Sequence, residues 1–399
     1  MKINLDKIIA ADHKVIRQIN RLNVLNTIRD RKAISRIEIS RLTGLNKSTI
    51  SNIVGELINE GLVYEESLGQ SAVGRKPIIL RLNEKSRIFG AIEVRLNRTT
   101  LAICDLGGNI LERREIETVA GEGEKFFAAC GRMLVEMTSA YKVPNVGVGV
   151  SICVLVNHLD GAIYAHNSLN WPNVDVRGVM EKEIGCKVFV DNDGKAGALG
   201  ELWFAPEAED LSSFVFVWVC EGIGVGMVMN NDLYHGYHDL DGQFGPQLIK
   251  FDGNLEDIPK ENYWEESASD LAAVNRYSEI SGVPRGDNIE KDMQRVIDLA
   301  RNGDSHAICA LKETARYLGV GIANINNGLG PERIIVGGKV VQVWDLVFPE
   351  LIRQVEKQTI YKVIPPREVI VPSSLDSPPL QGAKAMVIRE VFGSYKIWS

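Results

Sequence analysis

The chain has 399 residues, of which 45% are hydrophobic and 24% charged, with a net charge of −7. It contains no run of about 18 apolar residues, and its first residues interleave charge with apolar groups, so neither a membrane span nor a secretory signal is expected. Six cysteines without a single Cys-x-x-Cys spacing argue against a disulfide framework and a zinc knuckle, and suggest a reducing cytoplasm. The charge is split. Residues 1–82 carry 14 Lys+Arg against 8 Asp+Glu, a net of +6; the rest carries 31 against 44, a net of −13. A basic head on an acidic body fits a head that meets phosphate and a body that does not.

In chain order, His13–Asp30 places Val15, Ile16, Ile19, Leu22, Val24, Leu25 and Ile28 at helical spacing. Ser35 with Glu38 three residues on is a capping box, which predicts a short helix from Arg36 to Leu42. Thr43-Gly44-Leu45-Asn46 supplies a turn, and Gly44 can take the positive φ it needs. A helix over Lys47–Glu60 follows, with Ile50, Ile53, Val54, Leu57 and Ile58 on one side. Near its start stand Asn46, Lys47, Ser48, Thr49, Ser51 and Asn52. Such short polar or basic groups at the start of a second helix suit a major-groove reader. Leu62–Glu66 and Ile78–Leu82 read as strands around a glycine-rich hairpin tipped by Arg75 and Lys76, a wing placed to reach phosphates or a minor groove. The head therefore reads as a winged helix-turn-helix for double-stranded DNA.

Beyond Leu82 the pattern becomes α/β. Strands are predicted at Ile88–Val94, Leu101–Leu106, Val146–Val154, Lys187–Val190, Phe214–Val219, Gly224–Met229, Arg333–Val336 and Val369–Val371. Helices are predicted at Phe126–Tyr141, Ala307–Asn327 and Pro379–Phe392. This alternation implies two lobes with mixed sheets and a cleft between them.

Nearly the whole chain resembles the ROK family of repressors, open reading frames and sugar kinases. It is most similar to the DNA-binding members of the xylose-repressor, NagC and Mlc type. The resemblance is carried by Gly44–Ser51 with Gly74-Arg75-Lys76-Pro77, by Asn167-Ser168-Leu169-Asn170-Trp171, by Val190-Asp191-Asn192-Asp193 and by Leu318–Gly338. It implies a winged helix-turn-helix over 1–82 and a sugar-sensing ROK domain over 83–399. That domain would have two actin-like (ribonuclease H-like) α/β lobes, roughly 83–195 with the C-terminal helix 379–399, and 196–378.

The resemblance also assigns residues. Asp193 stands where the kinases keep a catalytic base, and Asn192 and Asn167 where they keep hydroxyl-binding asparagines. Glu265 matches a sugar-contacting glutamate. Gln243 replaces the glutamate of Glu-x-Gly-His and can still bond a hydroxyl; Pro246 replaces the histidine. These carboxylates and amides would bind a sugar or sugar-like effector. The kinases' glycine-rich phosphate loop is replaced by Glu93-Val94-Arg95-Leu96-Asn97-Arg98, and a second phosphate loop reads Glu221-Gly222-Ile223-Gly224. No ATP chemistry is expected, so no catalytic residue is assigned. The family's zinc ligands correspond to Pro246, Glu256, Ile258 and Tyr263, which offer neither thiolate nor imidazole, so no metal or other cofactor is expected.

The expected function is a cytoplasmic, sugar-responsive transcriptional repressor of carbohydrate-utilisation genes, acting on operator DNA as a homodimer or dimer of dimers. Two alternatives compete with it: a sugar kinase with a DNA-binding head, and a ligand-independent DNA-binding protein with a vestigial cleft.

Overall fold

The computed structural model describes residues 13–67, 78–164, 168–250, 258–360 and 365–393. The wing tip with Arg75 and Lys76, and Asn167, lie outside the described residues.

The head comprises α1 (His13–Arg31), β1 (Ile34–Ser35), α2 (Arg36–Thr43), α3 (Lys47–Asn59), β2 (Val63–Ser67) and β3 (Ile78–Leu82). The Ser35–Glu38 capping box opens α2, and Gly44 closes it at φ 70°. Asn46 caps α3 by accepting the Thr49 N–H at 2.8 Å. Val24, Leu25, Ile28, Ile39, Ile50, Val54, Leu57 and Leu80 are fully buried and join the helices to the small sheet β1-β3-β2. The two-residue β1 is too short to show as alternation in sequence.

The first lobe contains β4 (Ile88–Val94), β5 (Arg98–Asp105), β6 (Ile110–Glu117), α4 (Gly123–Thr138), β7 (Asn145–Ile152), α5 (Val176–Ile184) and β8 (Val188–Asn192). α6 (Asp193–Phe204) leads out of it. The second lobe contains β9 (Phe214–Val219), β10 (Ile223–Met229), β11 (Asp232–Leu233), α7 (Trp264–Ala268), α8 (Asp270–Ser281), α9 (Ile289–Arg301) and α10 (Ser305–Leu329). It continues with β12 (Arg333–Gly338), α11 (Trp344–Gln358), α12 (Pro366–Val369) and β13 (Ile370–Pro372), and α13 (Pro378–Phe392) closes the chain's described part.

The sheets run β6-β5-β4-β7-β8 and β11-β10-β9-β12-β13. Each has an antiparallel meander on one side of its central strand and parallel strands on the other. The two lobes thus repeat one topology, the actin-like arrangement. β4 and β9 are buried along their whole length, so β9 reads as an unbroken apolar run and β4 as an apolar run broken at Glu93.

α6 and α13 pack on each other between the lobes. α6 lies on β9 and β10, whereas α13 lies on β4 and β7. Small residues permit the close approach. A β-carbon on Gly382 would fall 1.7 Å from the Ala196 carbonyl oxygen, and one on Gly149 would fall 1.9 Å from that of Ala383.

The head rests on this helix pair. Asn26 of α1 donates to the Phe392 carbonyl at 2.7 Å. The Arg29 guanidinium lies 4.9 Å from the Trp203 ring centre on α6 and 5.0 Å from the Phe392 ring on α13.

Candidate functional site

The first site is the outer face of α3. Asn46, Lys47, Ser48, Ser51 and Asn52 are exposed and Thr49 is half-buried, because Ile50, Ile53, Val54 and Leu57 turn the opposite side into the core. Thr49, Ser51 and Asn52 line a concavity shared with Ile16, Arg17 and Asn20 of α1. Glu56 on the same helix pairs with Arg17, and the adjoining Glu60 with Arg21 at 2.5 Å, so acidic groups near the reading face are matched. One expected reader has a structural role as well. The Asn46 carbonyl oxygen accepts both the Thr49 N–H and, at 2.7 Å, the Ser48 hydroxyl, so Asn46 builds the helix start that presents the others.

The second site is a cavity of about 690 Å³ between the lobes. It brings together Asn192, Asp193, Gln243 and Glu265, which are up to 73 positions apart in the chain. Asp193 begins α6, and its Oδ1 accepts the Gly194 N–H at 2.8 Å. Burial pushes its carboxyl up to about 7, against the opposing pull of that N–H and of Arg95. It can therefore donate to, as well as accept from, a ligand hydroxyl near neutral pH. Glu265 opens α7, and burial raises its carboxyl too.

Asn192 and Trp171, both in segments that carry the family resemblance, have structural roles at this cavity. Asn192 borders the cavity, but its amide caps α6: the oxygen accepts the Gly194 N–H at 3.0 Å, and the nitrogen donates to the Val154 carbonyl at 3.3 Å. It holds Asp193 in place. Trp171 is fully buried, stacked on Phe126 at 5.1 Å, and donates to the Val119 carbonyl at 3.1 Å. It supports the cavity wall from behind.

Next to this cavity, where the sequence lacks a phosphate loop, Arg95 closes the gap between lobes. Its guanidinium meets Glu221 at 3.4 Å and Glu290 at 3.1 Å, both on the second lobe, and lies 5.8 Å from the Trp218 ring centre. Burial pulls the guanidinium's pKa down, but the Glu221, Glu93 and Glu290 carboxylates outweigh it and raise it, so Arg95 stays charged. Arg98 adds a second bond to Glu290 at 3.1 Å. At the other end of the cleft, Asp239 of the second lobe accepts the His158 backbone N–H of the first at 3.0 Å and the Lys195 ammonium of α6 at 3.3 Å. Arg95 and Lys195 carried no signal in sequence, since their partners lie 44 to 195 positions away. Arg29 was equally silent.

Behind the cavity floor, Asp270 is buried and neither carboxylate oxygen has a partner among the described residues. Burial raises its carboxyl to about 7. A carboxyl raised on folding stabilises most below its unfolded value, and that contribution is lost as pH rises through about 7. Asp270→Asn should therefore gain stability relative to the parent between pH 4 and 8, on the order of 2 kcal/mol. Urea unfolding at both pH values checks this; a constant difference would refute it.

Comparison with known proteins covers both the head and the two lobes. The ROK family profile matches residues 89–390, and a winged helix-turn-helix DNA-binding profile matches residues 17–64. A protein of Caldicellulosiruptor sp. (strain Rt8B.4) bearing a xylose-repressor name is 32% identical over 391 residues, 95% of this chain and 98% of its own. A solved ROK family transcriptional regulator, described as a homologue of the E. coli MLC protein, superposes with a TM-score of 0.79 at 24% identity, covering 94% of this chain and 97% of its own. A ROK glucokinase from Streptomyces griseus, solved with glucose and AMPPNP, superposes with a TM-score of 0.64 at 21% identity over 74% of this chain and 98% of its own.

Proposed function

The chain belongs to the ROK family, and from that premise we propose that it is a sugar-responsive transcriptional repressor of carbohydrate-utilisation genes. The observation that carries this reading is the union of an exposed polar recognition helix with an interlobe cavity holding Asp193, Gln243 and Glu265. The xylose-repressor name of the Caldicellulosiruptor relative supports it. Two heads of a cytoplasmic homodimer, alone or within a dimer of dimers, would occupy operator half-sites one helical turn apart or a multiple of that. A ligand that prefers a closure unsuited to DNA would release them.

We propose no phosphoryl transfer. A nucleotide's phosphates would have to displace Arg95 from Glu221 and Glu290 and then lie against those carboxylates. Nor do the residues fit the family's zinc: Pro246, Ile258 and Tyr263 provide no thiolate or imidazole, and Glu256 lies outside the described residues. Kinase activity is tested by ATP turnover against a sugar panel, where none is expected.

The sensing half is tested by titrating the full chain with sugars, sugar phosphates and cyclitols. At least one should raise the melting temperature and change operator affinity. If no compound does either, the protein is a ligand-independent DNA binder.

On the head, Thr49→Ala and Asn52→Ala should each change which base pairs are preferred, by about 1–3 kcal/mol per lost contact. Arg75→Ala or Lys76→Ala should weaken binding to every sequence and reduce the salt slope by about one. Binding assays on a library of single-base operator variants at two salt concentrations separate these outcomes. Equal weakening of all sequences by all four variants would refute the assigned reading face.

A further inference from the structure

The cavity's charge restricts what it can hold. Among its described lining residues, the carboxylates of Asp193, Glu221, Glu265, Glu266 and Asp287 stand against one cation, Arg285. Arg285 is exposed at the rim. Glu221 is matched from outside by Arg95. Asp193 and Glu265 are not: their hydrogen-bond donors among the described residues are the backbone N–H groups of Gly194 and Ile223.

These two carboxylates face one turn. A β-carbon on Gly224 would stand 3.3 Å from Asp193 Oδ1, and one on Gly222 would stand 3.1 Å from Glu265 Oε2. The turn Gly222-Ile223-Gly224 is thus flanked on both sides by desolvated carboxyl groups, neither of which forms an ion pair among the described residues. A phosphate or carboxylate brought here would add like charge to groups already held out of water. A protonated amine would supply the missing positive charge and make charge-assisted hydrogen bonds. Hydroxyls beside that amine would find Gln243 and Ser269 on the same lining.

We propose that the cavity selects an ammonium-bearing polyol, an amino sugar with a free amine or an aminocyclitol, and rejects phosphorylated and carboxylated sugars. This rests on the reading of the cavity as the ligand site. Selection then lies partly in repulsion, with Glu265 and Asp193 as the discriminating residues.

Calorimetric titration of the full chain with matched sets tests it. Each set, in the gluco, galacto and manno series, comprises the neutral hexose, its 2-amino-2-deoxy form, its 6-phosphate and its uronate. In the series that binds, the amine should bind at least about tenfold tighter than the neutral hexose, and the 6-phosphate and uronate at least about tenfold weaker. Glu265→Gln, checked by its melting curve, should shrink the amine-to-neutral ratio at least about threefold. A neutral hexose that binds as tightly as its amine, or a 6-phosphate or uronate that binds as tightly as the neutral hexose, overturns the inference and leaves the sensing reading intact. Binding by no member of any series, nor by any pentose or cyclitol, overturns the sensing reading, and the inference falls with it.

Discussion

Arg95→Met should lower the stability of the folded protein by about 3–5 kcal/mol, the range for removing one partner from a buried ion pair. Arg95 is nine-tenths or more out of solvent, and Glu93, next to it, is 3% exposed. Its two ion-pair partners, Glu221 and Glu290, belong to the opposite lobe. Methionine would fill much of the space but would leave Glu221 with no ion-pair partner among the described residues and Glu290 with Arg98 and Lys339 alone. Urea unfolding of parent and variant measures the loss. Adding Glu221→Gln to the variant should recover part of it, because one uncompensated charge is then removed. A loss below about 1 kcal/mol would place the pair in the class of exposed salt bridges and refute its role as an interlobe latch.

Arg29→Ala should leave operator binding within about threefold of the parent while abolishing most of the response to ligand. The reason is where α1 sits. Arg29 lies over Trp203 of α6 and Phe392 of α13, and Asn26 holds the carbonyl of that same Phe392. α6 is packed on the second sheet and α13 on the first. A rotation of one lobe must shear these two helices, and the side chain touching both will feel it. Removing that side chain deletes a contact worth about 0.5–2 kcal/mol, which is enough to loosen the coupling without unfolding the head. Operator titrations with and without a saturating ligand read the effect. A variant that retains the parent's full ligand response would show that the signal reaches α3 by another route.

Much of the fold was legible in sequence where one residue type has one structural meaning. Ser35, Glu38 and Gly44 marked the ends of α2, and the wholly buried strand β9 appeared as an unbroken apolar run. The elements that escaped did so for physical reasons. α6 is buried on nearly all sides, so Asp193–Phe204 shows no polar face and no helical period. β6 is an edge strand whose ILERREIE reads as a charged loop. α11 contains Pro349, a residue that argues against a helix interior.

The site divides in the same way. Asp193, Gln243 and Glu265 were recognisable by family resemblance and converge on one cavity. Asn46 and Asn192 also cap helices, because an asparagine at a helix start satisfies backbone N–H groups whatever else it binds. The interlobe contacts of Arg95 and Asp239, and the seat of Arg29, depend on which distant segments become neighbours, and no local pattern records that.

The most direct test is fluorescence anisotropy with a duplex selected by the protein from random DNA, titrated with and without the tightest-binding sugar found by calorimetry. A sugar-responsive repressor should bind the selected duplex at least about 10³-fold tighter than unrelated DNA at physiological salt. It should also lose at least about fivefold in affinity when the sugar saturates the cleft. A duplex affinity that no cleft-binding sugar alters, or a head that selects no sequence at all, would contradict this function.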